Sequence, residues 1–407
     1  MAYGSINTQD KRLSIETKLI LEILKSNLGT KHSLLTDFDE PGKINWVLFK
    51  RLLLYHELAP FTYSYFKSSS LAFPNELMSF LKSYYHLAIF QNEFFQNEFL
   101  KINSIFTQEG IYILPIKGLA LLRDTYIQIP ERPMVDMDVL VQEHKLDRAE
   151  QLLTKLGYKK YLKAGNEYYW RHKNCDIPFK KEDKKGLLEL HFALDLKRYN
   201  RYILPHLWNR LRSIESDNNK INLLSPEDTL FSLALHQRRF GKRLSLKNVL
   251  DVALLINKYK DNFDWDYVLK EAKSGKMCNT IFFVLFQAKI LLDISLPKDI
   301  LRKLGVPFWK KRLMYKFIKK DTFSPNPFEK LKYIYFKNHF LLYDSLWEPI
   351  DHIVHITQEE FAKYHNLPLY APRTKKLYRI WFLYTPYKLI KDNLRKIKNL
   401  SFSREKI

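Results

Sequence analysis

Apolar residues recur at helical spacing over Leu13–Leu28 and Trp46–Phe66, and Pro74 opens a longer stretch from Asn75 to about Glu109. Together they predict an N-terminal helical region over residues 1–108. The third stretch carries Tyr84, Tyr85, Phe90, Phe94, Phe95, Phe99 and Phe106. Such an aromatic stripe reads as core rather than as a platform for stacking bases. At Gly110 the period changes. Ile111–Ile116 is an apolar run of strand length, a Lys117-Gly118 pair follows, then an amphipathic segment, and Met134–Val141 sets Asp136 and Asp138 among apolar neighbours. The order is strand, turn, helix, strand.

Beyond this unit, Glu143–Leu156 reads as a helix closed by Gly157 at its C′ position, and Tyr158–Tyr161 resumes in extended form, so the βαβ logic repeats. Glu167–His172, Cys175–Phe179 and Gly186–Leu194 read as short strands, the last two joined by the charged turn KKEDKKG. Residues 109–198 therefore form an α/β core. From Asn200 the pattern turns helical. Ser225-Pro-Glu-Asp has the form of an N-cap, with Pro at the first helical position and acids in the first turn, ahead of Thr229–Phe240. Leu244–Tyr259, Trp265–Lys273, Cys278–Ile294 and Pro297–Leu304 follow as further helices, and residues 199–407 read as a C-terminal helical domain with a basic tail. The fold class is α+β, mostly helical, with a small mixed sheet between helical flanks. No fixed-period repeat runs through the chain.

Composition narrows the class. With 407 residues, 46% hydrophobic and 15% aromatic, the chain can bury a large core in two or three domains, which excludes disorder and fibrous architectures. Cys175 and Cys278 are the only cysteines, in keeping with a reducing, cytoplasmic setting. The N-terminal residues lack the apolar core of a signal peptide, and the most apolar later stretch, Ile281–Ile294, is interrupted by Gln287, Lys289 and Asp293, so no transmembrane segment is expected. Lysine and arginine total 67 against 44 acids, a net charge of +23. That surface aids solubility and suits a polyanionic partner, whether nucleotide, nucleic acid or anionic membrane. The tail from Lys375 mixes Leu377, Ile380, Trp381, Phe382, Leu383, Leu389 and Ile390 with lysines and arginines. It reads either as a terminal helix packed on its own domain or as a surface helix for membrane or nucleic acid.

The chemistry concentrates on two strands. Carboxylates at i and i+2 of a strand share a face, so Asp136 and Asp138 lie close and repel, and a hard divalent cation relieves that repulsion. Leu187, Glu189 and His191 likewise share a face, and a carboxylate and an imidazole on a central strand are costly to bury without a partner.

Several blocks then occur in order: IKGLALLRDTY, ERPMVDMDVLV, LTKLGY, LLELHFAL, LLSPEDTLFSLALHQ and LKNVLDVALLI. In this order they resemble an uncharacterised bacterial nucleotidyltransferase family of the DNA polymerase beta-type superfamily, whose pattern runs KGaal, R…DiDlLv, dlHw and a later H. The resemblance extends from about Ile111 to at least Asp299. The Asp-Met-Asp pair alone would be weak; the ordered recurrence makes it specific.

That resemblance implies transfer of a nucleoside monophosphate, most simply AMP from ATP, to an unidentified acceptor hydroxyl, with Mg²⁺ (or Mn²⁺) held by Asp136 and Asp138. It also implies a third carboxylate from a neighbouring strand that completes the metal site and acts as base. Glu189 occupies that position, and Asp176, on a predicted adjacent strand, is the alternative. On the phosphate side, Gly118 permits close backbone approach at a helix start, Lys117 adds a point charge and Arg132 a fork of donors. His191 and His236 fall on the family's histidine positions, where a structural role competes with an auxiliary one. The chain departs from the wider superfamily at Leu119, where a hydroxyl residue usually follows the glycine, so a side-chain hydroxyl is lacking there. A second class of function is a non-catalytic nucleotide- or RNA-binding protein that keeps the fold. The complete acidic pair weighs against it, because two negative charges facing phosphate oppose binding unless a metal is present.

Overall fold

The computed structural model describes residues 13–29, 44–69, 73–162, 167–181, 186–196, 206–216, 219–240, 245–321, 341–345, 347–348, 357–365, 367–384, 387–388 and 391. It begins with helices α1 (Ile15–Asn27), α2 (Trp46–His56), α3 (Ala59–Lys67) and α4 (Asn75–Gln108). Ser14 caps α1 by accepting from Thr17 N, and Asn45 caps α2 by accepting from Leu48 N. The single stretch expected over Trp46–Phe66 is two helices. Glu57 adopts a left-handed φ of 58° and ends α2, and Pro60, which has no N–H to offer, sits in the first turn of α3. The aromatic face of α4 is half core: Phe95, Phe99 and Phe106 are buried, Tyr84, Tyr85 and Phe94 are half-buried, and Phe90 faces solvent.

The sheet that follows uses β1 (Leu114–Pro115), β2 (Asp136–Leu140), β3 (Lys159–Lys160), β4 (Asp176–Lys180) and β5 (Leu187–His191). Among the described residues these form a five-stranded sheet in the order β1-β2-β5-β4-β3, in which β2 and β5 are parallel and the other pairs antiparallel. Pro115 is tolerated because β1 is an edge strand. Helix α5 (Lys117–Asp124) connects β1 to β2, and α6 (Leu146–Lys155) leads from β2 to β3. Two helix ends expected from glycine are found: Gly110 and Gly157 take φ of 67° and 84°, and the following amides, Ile111 N and Tyr158 N, donate back to Phe106 O and Leu153 O.

The expected strand Glu167–His172 is instead helix α7 (Glu167–Lys173). Its aromatic residues favour strand, but Arg171 pairs with Glu167 one turn earlier at 3.0 Å and reaches Asp147 and Glu150 at the start of α6, so side-chain pairing overrides local propensity. A second departure lies in the region expected to be wholly helical, where β6 (Arg212–Ser216) and β7 (Asn219–Leu223) form an antiparallel pair with Ile214 opposite Ile221. The centre of the KKEDKKG turn lies outside the described residues, as does much of the tail beyond Tyr384.

Helices α8 (Pro226–Phe240), α9 (Leu246–Tyr259), α10 (Trp265–Ser274), α11 (Cys278–Leu292), α12 (Ile300–Lys303), α13 (Phe308–Asp321), α14 (Gln358–His365) and α15 (Pro372–Arg379) follow among the described residues. As the Ser-Pro-Glu-Asp pattern requires, Ser225 Oγ accepts from Asp228 N at 3.1 Å at the start of α8. A contiguous hydrophobic core runs from Leu19 in α1, through the sheet, to Leu342. The architecture is α+β: a small mixed sheet with helical flanks, as the sequence pattern predicts. No helix among the described residues is long and apolar enough to cross a membrane.

Candidate active site

Register decides what the sheet offers. Asp138 pairs with Glu189 and Leu140 with His191 across β2 and β5, so Asp136, Asp138, Glu189 and His191 project from one face. The alternate residues Met137, Val139, Leu188 and Leu190 are buried on the other face, where Met137 and Leu188 meet Phe94 and Phe95 of α4. An apolar face thus anchors the strands while the polar face is held toward a cavity.

That cavity measures about 370 Å³. Its floor is Asp136, Asp138 and Glu189, with Lys117 and Gly118 at one side; the opposite wall is His236 and Gln237 of α8 with Ser245, Lys247 and Asn248 at the start of α9. Glu57, the left-handed residue that ends α2, stands at the rim and pairs with Lys247. Asp176 does not line the cavity; it forms a separate group with Cys175 and His191, whose candidate ligand atoms lie within 4.8 Å of one another. Among the described residues, Asp138, Glu189 and His191 form the other such group, so the imidazole joins the two.

Lys117 is delivered by the backbone. Ile116 N donates to Asp138 O at 3.1 Å, which extends the β1–β2 ladder by one residue, and Lys117 then takes a left-handed φ of 51° as the chain leaves for α5. Its ammonium lies 2.5 Å from Asp138 Oδ1, 3.4 Å from His191 Nε2 and 3.9 Å from Glu189 Oε2. A non-glycine residue in this conformation carries strain, and the buried ion pair holds it there.

The two aspartates differ in electrostatics. Burial works against the charge on Asp138, but Lys117 and a 2.9 Å hydrogen bond with His191 Nε2 hold its carboxyl well below the usual range. Asp136 has no such partner within the pair; burial, then the charges of Asp138 and Glu189, push it up to about 7. For His191, burial and Lys117 oppose protonation, yet the bond to Asp138 leads the contacts that raise its pKa well above that of a free imidazole.

Arg132 also lines the cavity. Its Nε and Nη2 donate to Asp251 of α9 at 2.8 and 2.9 Å, so most of its fork is turned to a carboxylate of the protein. Tyr126 also donates to Asp251 Oδ1, at 2.8 Å. A Cβ on Gly118 would overlap Arg132 Nη1 and come within 2.9 Å of Met134 Sδ. A side chain at this position would therefore press on the buried, Asp251-paired Arg132 and on Met134. Asn92, wholly buried in α4, fixes the segment that carries Arg132: it donates to Ile129 O and Arg132 O and accepts from Met134 N.

Asn92, Tyr126, Lys247, Asp251 and Glu57 carry no assignment in the sequence reading. Two had a signal: an Asn inside an aromatic helix and an Asp inside the apolar LDVALLI are buried polar groups that demand partners. Glu57 and Lys247 had none, since their meeting depends on the packing of α2 against α9.

The structure brings paired acids on one strand, a third acid in register beside them and a Lys-Gly turn to one cavity. The family described as "Uncharacterised nucleotidyltransferase" matches residues 42–293, well over half of the chain, and the chain belongs to that family. No curated protein matches it.

Proposed function

We propose that the protein is a divalent-metal-dependent nucleotidyltransferase that moves a nucleoside monophosphate, most simply AMP from ATP, onto an acceptor hydroxyl. The observation that carries this reading is the register of Asp138 with Glu189, with Asp136 on the same face, at the floor of a 370 Å³ cavity.

The donor set suits a hard cation such as Mg²⁺ or Mn²⁺, because carboxylate oxygens dominate it. A cationic group, the Lys117 ammonium, already lies among Asp138, Glu189 and His191. Asp136, Asp138 and Glu189 would be the ligands. When bound, the ion would offset the charge of the triphosphate and polarise the phosphoryl group under attack.

The protein's own residues have these roles. His191 orients Asp138 through its 2.9 Å bond. The Glu189 side chain is more open than that of Asp138, 20% against 8% exposed, which supports it as the group that accepts the proton of the incoming hydroxyl. Lys117 would exchange its carboxylate partner for a phosphate oxygen, while Gly118 keeps the backbone low beneath that phosphate. Lys247 faces them from α9 as a second cation once released from Glu57. Arg132 acts through the turn it supports, as a positioning residue.

Calorimetric titration of Mg²⁺ and ATP into wild type, Asp136→Ala and Asp138→Ala tests the site: equal binding by all three would remove it. Incubation with labelled triphosphate, metal and cell extract tests the reaction, whose label transfer should vanish in Asp138→Asn. Salt-sensitive RNA binding that is indifferent to Asp138→Asn, without label transfer, would favour a binding protein instead.

A further inference from the structure

The last described segment exposes apolar and basic side chains together. Helices α14 and α15 are joined through a ring cluster in which Phe361 lies 5.8 Å from the rings of both Tyr378 and Tyr384 and 4.6 Å from His365. This contact uses the inner side of the segment. The same segment also exposes Ile380, Phe382, Leu383 and Tyr387, at 46%, 58%, 61% and 57%. Ile380 and Leu383 stand one helical turn apart, so these two form a small apolar patch, with Phe382 and Tyr387 exposed close by in sequence.

Charge supplies the second half of the pattern. Arg373, Lys375, Lys376, Arg379 and Lys391 are exposed in the same short segment and Lys388 is half-buried, and no Asp or Glu occurs from Asn366 to Lys391. A second copy of the chain would bring the same uncompensated positive charge to the contact, which opposes self-association. RNA would satisfy the cations, but Ile380 and Leu383 have no π-face on which a base could stack. An anionic lipid surface satisfies both halves: headgroup phosphates meet the lysines and arginines, and the rings and aliphatic chains enter the boundary with the acyl region.

We propose that residues 372–384, with Tyr387, Lys388 and Lys391, act as an interfacial anchor that seats the protein on an anionic membrane surface without crossing it. This attachment is independent of the nucleotidyl-transfer reading.

The test is flotation of the full chain with vesicles of phosphatidylcholine alone and of an equimolar mixture with phosphatidylglycerol. The protein should float only with the anionic vesicles and be released by salt. Phe382→Ser with Leu383→Ser should lower the partition by more than about tenfold, and Lys376→Glu with Arg379→Glu by a similar factor; the second pair keeps the test decisive if the first does not fold. Three outcomes would overturn the proposal: no flotation with anionic vesicles, flotation undiminished by either pair, or sedimentation showing that the patch joins two copies of the chain.

Discussion

The Lys117 ammonium lies 2.5 Å from Asp138 Oδ1, at the carboxylate that a catalytic cation would have to share. An internal cation in that position relieves the repulsion among Asp136, Asp138 and Glu189, and on the proposed reading a divalent ion would compete with it for Asp138. Lys117→Ala should therefore bind Mn²⁺ severalfold more tightly than wild type above neutral pH while its kcat/KM for the triphosphate falls. A titration followed by electron paramagnetic resonance reads the first effect and steady-state kinetics the second. Weaker metal binding by Lys117→Ala would show that the ammonium supports the ion instead of competing with it.

Backbone conformation at the same residue gives an independent prediction. With φ at 51°, Lys117 sits where a Cβ is penalised. In chemical denaturation, Lys117→Gly should be more stable than Lys117→Ala by about 1 kcal/mol, since both lose the ion pair and only glycine relieves the backbone. Equal stability would argue that the turn relaxes.

Metal affinity should depend on pH through Asp136. Its carboxyl, pushed up to about 7, holds a proton at pH 6 in the metal-free protein, and an entering cation must displace it. Affinity should consequently rise with pH through this region, by up to about tenfold per unit on the acid side, and level off above it. Asp136→Asn should lose this dependence along with much of its affinity. A wild-type affinity that is flat between pH 6 and 8 would contradict the assignment.

Arg132 and Asp251 form a buried pair, 8% and 1% exposed, that also satisfies Tyr126. Asp251→Ala leaves a guanidinium and a phenol without their acceptor and should cost about 3–5 kcal/mol in denaturation. Arg132→Met with Asp251→Leu should cost less than either single change, because no charge is left alone. If the double variant shows only additive loss, the pair is not coupled.

Gly118→Ala tests the packing of the turn. The added methyl would overlap Arg132 Nη1 and crowd Met134, at about 1–3 kcal/mol for overpacking. The nucleotide affinity of Gly118→Ala should fall with its stability, and crystallography should find Arg132 displaced.

Local signals carried much of this architecture. Alternation in Met134–Val141 and Gly186–Leu194 is visible because one strand face is apolar and the other acidic, and Gly110, Gly157 and Ser225 mark helix ends by their own chemistry. Strand register is not local. That Asp138 meets Glu189, while Asp176 lies beyond His191, follows from the order β2-β5-β4, which no single segment encodes. For α7 the local signal was misleading: its aromatic residues read as strand until Arg171 found Asp147 and Glu150. The pairing of Arg132 with Asp251 is not local either, since the partner lies 119 positions away in α9.

The rim of the cavity closes through Ser245 Oγ donating to His56 O and Leu246 N donating to His56 Nδ1, contacts that span 189 and 190 positions. Closing so long a loop is entropically unfavourable and late, since the intervening sheet and α8 must already be in place. A nascent chain would thus complete its strands and both aspartates well before it had a cavity. The ability to hold a nucleotide should be among the last properties gained in folding, and a triphosphate-binding signal during refolding should lag behind the secondary structure.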